Sequence, residues 1–516
     1  MKSQLSNQPL PSNPGTTPAG WSSLLAAAFV VVGFSACTGG GATDSTTSKP
    51  AGGGGAESQL SSTISDPGVV FLADKERDGV SELYVADRSG GARAKLSGPL
   101  VAGGNVSAFA WAPDRAQVAF RADKAHDNVF ELFVVSAVGG TPVKVSGAMP
   151  QNGDVLQFSW SPDSTRLLFR ADSLQDEVFE LFLVHPDGTG LVKPSTPLST
   201  GGTVTSFAWS PDGRRAAYIL TKNTTSPNEL YVVDTSNGIS QLLSGTLTPG
   251  GNVLDFGWAP DGSRLTYRAN KDDVARVELF TVTPEGTDTR KVSDGLPMTA
   301  GILGASWAPN SSRIAFRANS SPDNLPELYV TNPTGGGLLK ISGGLPAGGS
   351  VTGLFQWAPD SSRVAYIADK ISDEVYELFV CTLTGGSPVN APYSGPLVTG
   401  GNVTALAWAP NSAQLAYVAD AVTEGKKELF LVRMSGPRLP TRLTPDLVEG
   451  GNVEALAWQE DGTGLVYVAD QEVNDETSLY SVSTGSGEIT NLSGSFVEEG
   501  DVSRAAVGPT VFYNPF

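Results

Sequence analysis

The sequence predicts an all-β, closed β-propeller built from four-stranded blades, and three observations carry that prediction. Tryptophan returns at Trp111, Trp160, Trp209, Trp258, Trp307, Trp357, Trp408 and Trp458, at intervals of 49, 49, 49, 49, 50, 51 and 50 residues. A fixed period near 50 marks a repeat whose units each need their neighbours to bury an apolar face. A Glu-Leu-aromatic triplet keeps the same period, at Glu82, Glu131, Glu180, Glu229, Glu278, Glu327, Glu377 and Glu428, with Ser478-Leu-Tyr as the ninth. Finally, 60 glycines and 35 prolines in 516 residues imply many turns between short elements.

One unit, residues 153–194, is enough to read the blade. Val155 to Trp160 alternates apolar and polar residues, the pattern of a half-buried strand. Ser161-Pro162-Asp163-Ser164 turns the chain, since Pro presets φ at the first central position of a type I turn and Asp suits the second. Arg166 to Arg170 is a second strand and Glu180 to Val184 a third, separated by the loop Asp172 to Val178. Asp187-Gly188 supplies a hairpin signal, and Leu191 to Lys193 is a short fourth strand. Four antiparallel strands in about 49 residues make one propeller blade.

The turn recurs as WSPDG at Trp209 and WAPDG at Trp258, as WAPD at Trp111 and Trp357, and as WAPN at Trp307 and Trp408. The last unit, Trp458-Gln-Glu-Asp-Gly462, lacks the proline. With the following Glu-Leu-aromatic strand, this motif resembles the TolB-type, WD-repeat-like propeller family over residues 66 to 507. The resemblance implies the fold. It leaves function open, because such propellers serve as transport scaffolds, protease gating domains and lyases.

Nine third strands stand against eight Trp-bearing first strands. The unit at 66–97 has second, third and fourth strands (Val69 to Asp74, Glu82 to Asp87, Ala94 to Leu96) but no first. Asp501 to Val507 matches the segment before Trp408, with Val507 in the Trp place, so the C-terminal strand is expected to complete the first blade. This arithmetic predicts nine blades, with eight as the alternative, since propellers usually have four to eight. Val511-Phe-Tyr513 is expected to pack on the first blade.

Three segments follow: a signal peptide (1–36), a lipidated cysteine with a flexible linker (37–65), and the propeller (66–516). The apolar run Trp21 to Phe34 is too short for a permanent membrane helix, which needs about 20 residues, but suits a signal-peptide core. Phe34-Ser-Ala-Cys37 resembles the bacterial lipobox, which implies Cys37 as the lipid attachment residue, although Phe34 replaces the usual Leu. Thr38 to Ser65 is rich in Gly, Ser and Thr, a flexible tether. The expected location is the bacterial envelope, lipid-anchored at the outer membrane or in the periplasm, with a soluble secreted form as the alternative.

Beyond the first 36 residues, 33 basic groups face 53 acidic ones, which argues against binding nucleic acid or anionic lipid. Solvation of a secreted surface accounts for the acidity. The two cysteines, Cys37 and Cys381, and two histidines, His126 and His185, form no metal-binding or relay pattern, and Cys381 reads as a buried thiol.

The recurrent Glu lies on the third strand, roughly 10 Å outside the innermost strand at about 4.8 Å per strand. Its row therefore cannot converge on one ion, and a structural role at a blade junction is expected. Arg121, Arg170, Arg268 and Arg317 stand ten residues after a Trp, but other units place Leu72, Ile219, Ile367, Val418 or Val468 there and four of those five keep the Glu. The Glu must therefore have another partner. The second-to-third-strand loops, such as Asp123 to Asp127 and Asp172 to Glu177, are acidic and read as solvated tips rather than calcium loops. Gly-Gly-Asn at 103, 250, 400 and 450 lacks the Lys and helix of a phosphate loop and reads as a blade-to-blade crossing.

The functional expectation is a non-catalytic, monomeric propeller scaffold that binds a protein partner or an envelope polymer. No catalytic, metal or cofactor residues are assigned. The alternative is a propeller enzyme, a lyase or hydrolase, metal-assisted or not, with its site at the channel mouth. A domain gating a partner protease is a third class.

Overall fold

The computed structural model describes residues 64, 66–77, 79–320, 324–372, 374–384, 387–494 and 501–507. Among them, nine antiparallel sheets close into a ring and no helix occurs. Blade 1 takes residues 67–95 and 502–506; blades 2 to 9 follow at 106–144, 155–192, 203–242, 253–291, 302–340, 351–392, 403–442 and 453–491. Nine is the count that the two repeat registers predict, and the eight-bladed alternative falls. The proposed leader, Cys37 and the segment Val511 to Tyr513 lie outside the described residues, as does the tether except for Ile64, which is buried against the first blade.

The unit read from sequence is observed nearly residue for residue. Its strands are Val155–Trp160, Leu167–Ala171 and Glu180–Val184. The expected fourth strand is reduced to one bridge, Leu183 with Val192, so blade 3 alone has a three-stranded sheet. Blade 1 closes as expected: Val502–Ala506 pairs antiparallel with Pro67–Ala73, in the register Val70 with Ala506 and Leu72 with Arg504.

Consecutive first strands touch one another around the ring, so the Trp-bearing strand is the innermost of each blade. Its opening Val or Ile is followed by a register shift, as between Val106 and Ala108, Val253 and Asp255, or Ile302 and Gly304. Such a β-bulge turns the extra residue out of the ladder. That residue faces the axis, and Leu254 and Leu303 are accordingly 47% and 36% exposed.

The core lies between blades. Each second strand stacks an aromatic ring on the third-strand aromatic, from Phe71 on Tyr84 at 5.7 Å to Tyr467 on Tyr480 at 5.3 Å, offset pairs that add to simple burial. The Trp-Ala-Pro-Asp turns form as predicted, with Ser164 N–H bonded to the Ser161 carbonyl at 2.9 Å. Their last residue has positive φ, which is why Gly213, Gly262 and Gly462 stand there. Ser164, Ser311, Ser361 and Ser412 accept the same conformation, and each hydroxyl receives a backbone N–H from the preceding blade's turn at 2.9–3.0 Å.

The ring thus has two unlike faces. One carries these turns and the outer hairpins; the other carries the second-to-third-strand loops and the blade crossings. Pro67 begins a second strand, which places the start of the described propeller on the turn face.

Candidate functional site

Recurrent residues in a ring form circles, and the structure assigns a partner to each circle. The Trp circle comes first. Each indole Nε1–H donates to the carbonyl just before the preceding blade's Trp: Trp160 to Ala110, Trp209 to Ser159, Trp258 to Ala208 and Trp307 to Gly257, at 3.1–3.3 Å. Trp357 to Ser306, Trp408 to Gln356 and Trp458 to Ala407 continue it at 2.9–3.2 Å. Trp111 closes onto Ala506 at 3.1 Å. Val507, in the ninth position, has no side-chain N–H to offer Ala457.

The partner of the Glu circle is a cation on the fourth strand. Lys95, Lys144, Lys193, Lys291, Lys340 and Arg442 pair with Glu82, Glu131, Glu180, Glu278, Glu327 and Glu428. In blade 4, where Leu242 takes the cation's place opposite Tyr231, Lys222 reaches Glu229 from the loop at 3.0 Å. Blade 9 loses both members together, with Ser478 and Asn491. The tyrosine hydroxyls of Tyr84, Tyr231 and Tyr329 donate to the same carboxylates at 2.7–2.8 Å. Burial disfavours the charge on Glu327, but Lys340, Tyr329 and Ser320 outweigh it and hold the carboxyl below its ordinary range.

Blade 7 departs from this. Pro392 stands opposite Phe379 where the cation belongs, Glu377 Oε2 is buried with no hydrogen bond, and burial pushes the Glu377 carboxyl up.

The first Asp of the acidic loops corrects the solvated-tip expectation. Asp123, Asp172, Asp369, Asp420 and Asp470 are buried. Asp123 Oδ1 accepts the Asn105 backbone N–H at 2.5 Å and Asp172 Oδ1 that of Asp154 at 2.6 Å, while their second oxygens accept Asn128 and Glu177 from their own loops at 3.1 Å. Where Asn270 replaces Asp, its oxygen still receives Asn252 N–H at 2.6 Å and its amide donates to the Val274 carbonyl. Asp127, Asp176, Glu177, Asp272, Asp273, Glu374 and Asp475 in these loops are exposed.

The Gly-Gly-Asn crossings complete the chain of bonds. Asn105, Asn252, Asn402 and Asn452 accept, through Oδ1, a backbone N–H from the previous blade at Ser81, Asn228, Tyr376 and Lys427, at 2.8–2.9 Å. One further circle escaped sequence reading. Ser97, Ser146, Ser195, Ser244, Ser293 and Ser342 are buried hydroxyls that each accept the N–H of the Leu after the Glu, at 3.2–3.3 Å. Their 49-residue period was the available signal.

The arginine row pairs with backbone carbonyls and not with the Glu row. Arg170, Arg268 and Arg317 donate to the carbonyls of Val204, Ile302 and Val351 on the next blade's first strand, at 2.8–3.2 Å. Arg268 also meets Asp255. Arg121 lies 4.2 Å over the Phe130 ring, and burial lowers the guanidinium pKa of Arg121, Arg170 and Arg317. Cys381 is fully buried, which raises its thiol to about 12 and removes it as a nucleophile.

Among the described residues no three His, Cys, Asp or Glu side chains gather as metal ligands. His126 and His185 sit in separate loops, His185 Nδ1 being 3.2 Å from the Thr165 carbonyl. A cleft of about 240 Å³ between blades 6 and 7 is lined by Arg313, Thr331, Asn332 and Leu383, without a nucleophile or a paired acid and base.

A closed ring of nine such blades defines the class: a β-propeller. Residues 84–302, from the third strand of blade 1 to the first strand of blade 6, match the family described as the lipoprotein LpqB beta-propeller domain. No curated protein matches the chain in sequence. Among solved structures, the Porphyromonas gingivalis dipeptidyl peptidase 4 is similar with a TM-score of 0.55 and 11% identity, over 75% of this chain and 58% of that one. A prolyl endopeptidase aligns at 0.43 and 13%, over 66% of this chain and 47% of that one. Oligogalacturonate lyase from Vibrio parahaemolyticus aligns at 0.39 and 15%, over 74% and 98%. The chain therefore spans about half the length of the peptidases it resembles, and the likeness is one of fold.

Proposed function

We propose that the protein is a non-catalytic scaffold, anchored in the bacterial envelope through Cys37, whose ring presents a binding face to a protein partner. The observation that carries this reading is the use of the recurrent polar residues. Trp, Glu, Lys, Asp, Asn and Ser circles are consumed by hydrogen bonds within and between blades, so the repeat is spent on building a rigid surface. The match to a lipoprotein propeller family over 84–302 supports the envelope setting.

The second strand of blade 1 starts at Pro67 on the turn face, so the loop face is the side we assign to the partner. Affinity capture from detergent-solubilised envelope tests the scaffold reading. A reproducible partner, lost when loop-face residues are altered but retained when turn-face residues are, supports it; turnover of a polymer or peptide by the purified protein overturns it. Cys37→Ala should release the protein into the soluble fraction, and retention in the membrane would refute the anchor.

A further inference from the structure

One stretch of the inner wall is unlike the rest. In blade 6, Arg317 pairs across the sheet with Gly304, and its guanidinium lies beside Gly353 of blade 7. Both flanking positions lack a side chain, so nothing covers the guanidinium from the axis. A Cβ added to Gly353 would meet only Arg317 Nη1, at 3.6 Å, and otherwise open space. Among the described residues Arg317 has one hydrogen bond, to the Val351 carbonyl at 3.2 Å, and no carboxylate.

A second guanidinium stands next to it. Arg268 of blade 5 reaches the Ile302 carbonyl at 3.0 Å, at the start of the strand that pairs with Arg317. Asp255 neutralises Arg268 alone. Burial and the proximity of Arg268 both weigh against the Arg317 charge, so an anion received here would relieve a cost already present. Arg121 and Arg170 also lack an ion pair, but each lies against an aromatic ring, Phe130 at 4.2 Å and Phe179 at 5.8 Å; among the described residues no ring covers Arg317. Beside the pair, the bulged Leu254 and Leu303 leave apolar surface exposed toward the axis. An arginine fork favours a planar carboxylate, and the leucines favour an apolar group attached to it.

We propose that Arg317 and Arg268, with Gly353, Leu254 and Leu303, form a site for the C-terminal carboxylate of a peptide segment whose last side chain is apolar. The site lies at the loop-face mouth of the channel, near the start of the first strands. It deepens the scaffold reading by naming the part of a partner that enters the ring, and it rests on that reading.

The probe is the peptide acetyl-Gly-Gly-Ser-Leu with a free carboxylate, against the same peptide as a C-terminal amide, titrated calorimetrically into the full chain in detergent. The acid should bind at least tenfold more tightly than the amide. Arg317→Gln should weaken the acid at least tenfold. Gly353→Val, which keeps every charge and fills the open space, should weaken it similarly with an unchanged melting temperature. Equal binding of acid and amide overturns the proposal, as does undiminished binding in Gly353→Val. Preferential binding of a galacturonate trimer at Arg317 also overturns it, since a sugar acid offers nothing to the leucines. Partner capture that succeeds while the peptide fails leaves the scaffold reading standing and removes only this site.

Discussion

The indole N–H of Trp111 donates to the carbonyl of Ala506 at 3.1 Å, joining residues 395 apart in the chain. Every other bond of this kind links two consecutive repeats; this one links the second blade to the last described strand. It is the ring's closing bond on the inner wall.

Trp111→Phe should therefore act locally. Losing one buried hydrogen bond costs about 0.5–1.5 kcal/mol. Amide exchange should accelerate in 502–506 and in the Pro67–Ala73 strand that pairs with it, and remain slow in blades 4 and 5. Uniform acceleration around the ring would refute a special role for this joint.

Lys340→Met should destabilise the fold by about 1 kcal/mol at neutral pH, a modest figure because Lys340 is 39% exposed. Glu327 titrates below its ordinary value in the folded state, so its contribution is present above the unfolded pKa near 4.5 and is lost as pH falls through the folded one. Urea unfolding of both proteins should diverge at pH 7, and the gap should narrow as pH falls below 4.5. A constant gap across that range would mean that Lys340 acts through packing alone.

Blade 7 gives the opposite sign. Glu377 titrates above its ordinary value, so its contribution is fully present below the unfolded pKa near 4.5 and is lost as pH rises through the folded one. Pro392→Lys supplies the cation that six other blades place thirteen or fourteen residues after the Glu and pair with it. The variant should gain about 0.5–1 kcal/mol over the parent at pH 7, partly offset by the lost proline, and nothing at pH 3. A gain that persists at pH 3 would rule out pairing with Glu377 as its cause.

Asp172→Ala strands two backbone N–H groups, on Asp154 and Glu177, and should cost about 2 kcal/mol. Asp172→Asn should cost less than half of that, because Asn270 fills the same place in blade 5 with one acceptor and one donor. Thermal melts with and without calcium test the assignment. Should calcium raise the midpoint of the parent and not of Asp172→Ala, the row binds metal and the hydrogen-bond account fails.

The fold was legible because a ring repeats its errors as well as its signals: two registers, Trp and Glu-Leu-aromatic, disagreed by one, and Val507 resolved the difference. The partner of the Glu row was equally present in the sequence, as a Lys thirteen residues on at 95, 144, 193, 291 and 340. It went unread because the adjacent-strand arginine at Arg121 and Arg170 looked the more obvious candidate. Asp123 and Asp172 were misread for a different reason. Charge suggests solvent, whereas here the backbone of a crossing loop folds over the carboxylate and supplies the solvation itself. The inner-wall site could not be read at all, since it depends on two glycines, Gly304 and Gly353, meeting one arginine across a blade junction.

Val507 carries one more consequence. Where the indole is missing, the joint is made by arginines. Arg115 of blade 2 reaches across blade 1 to Glu460 of blade 9 at 2.7 Å and to the Val507 carbonyl at 3.3 Å, and Arg93 binds the Leu492 and Asn491 carbonyls at 2.5 and 3.1 Å. Neutral indole bonds are indifferent to ionic strength, whereas the Arg115–Glu460 pair weakens as counterions screen it. At this junction a salt-sensitive ion pair stands in for the indole bond, so rising ionic strength should loosen it while the eight indole bonds hold.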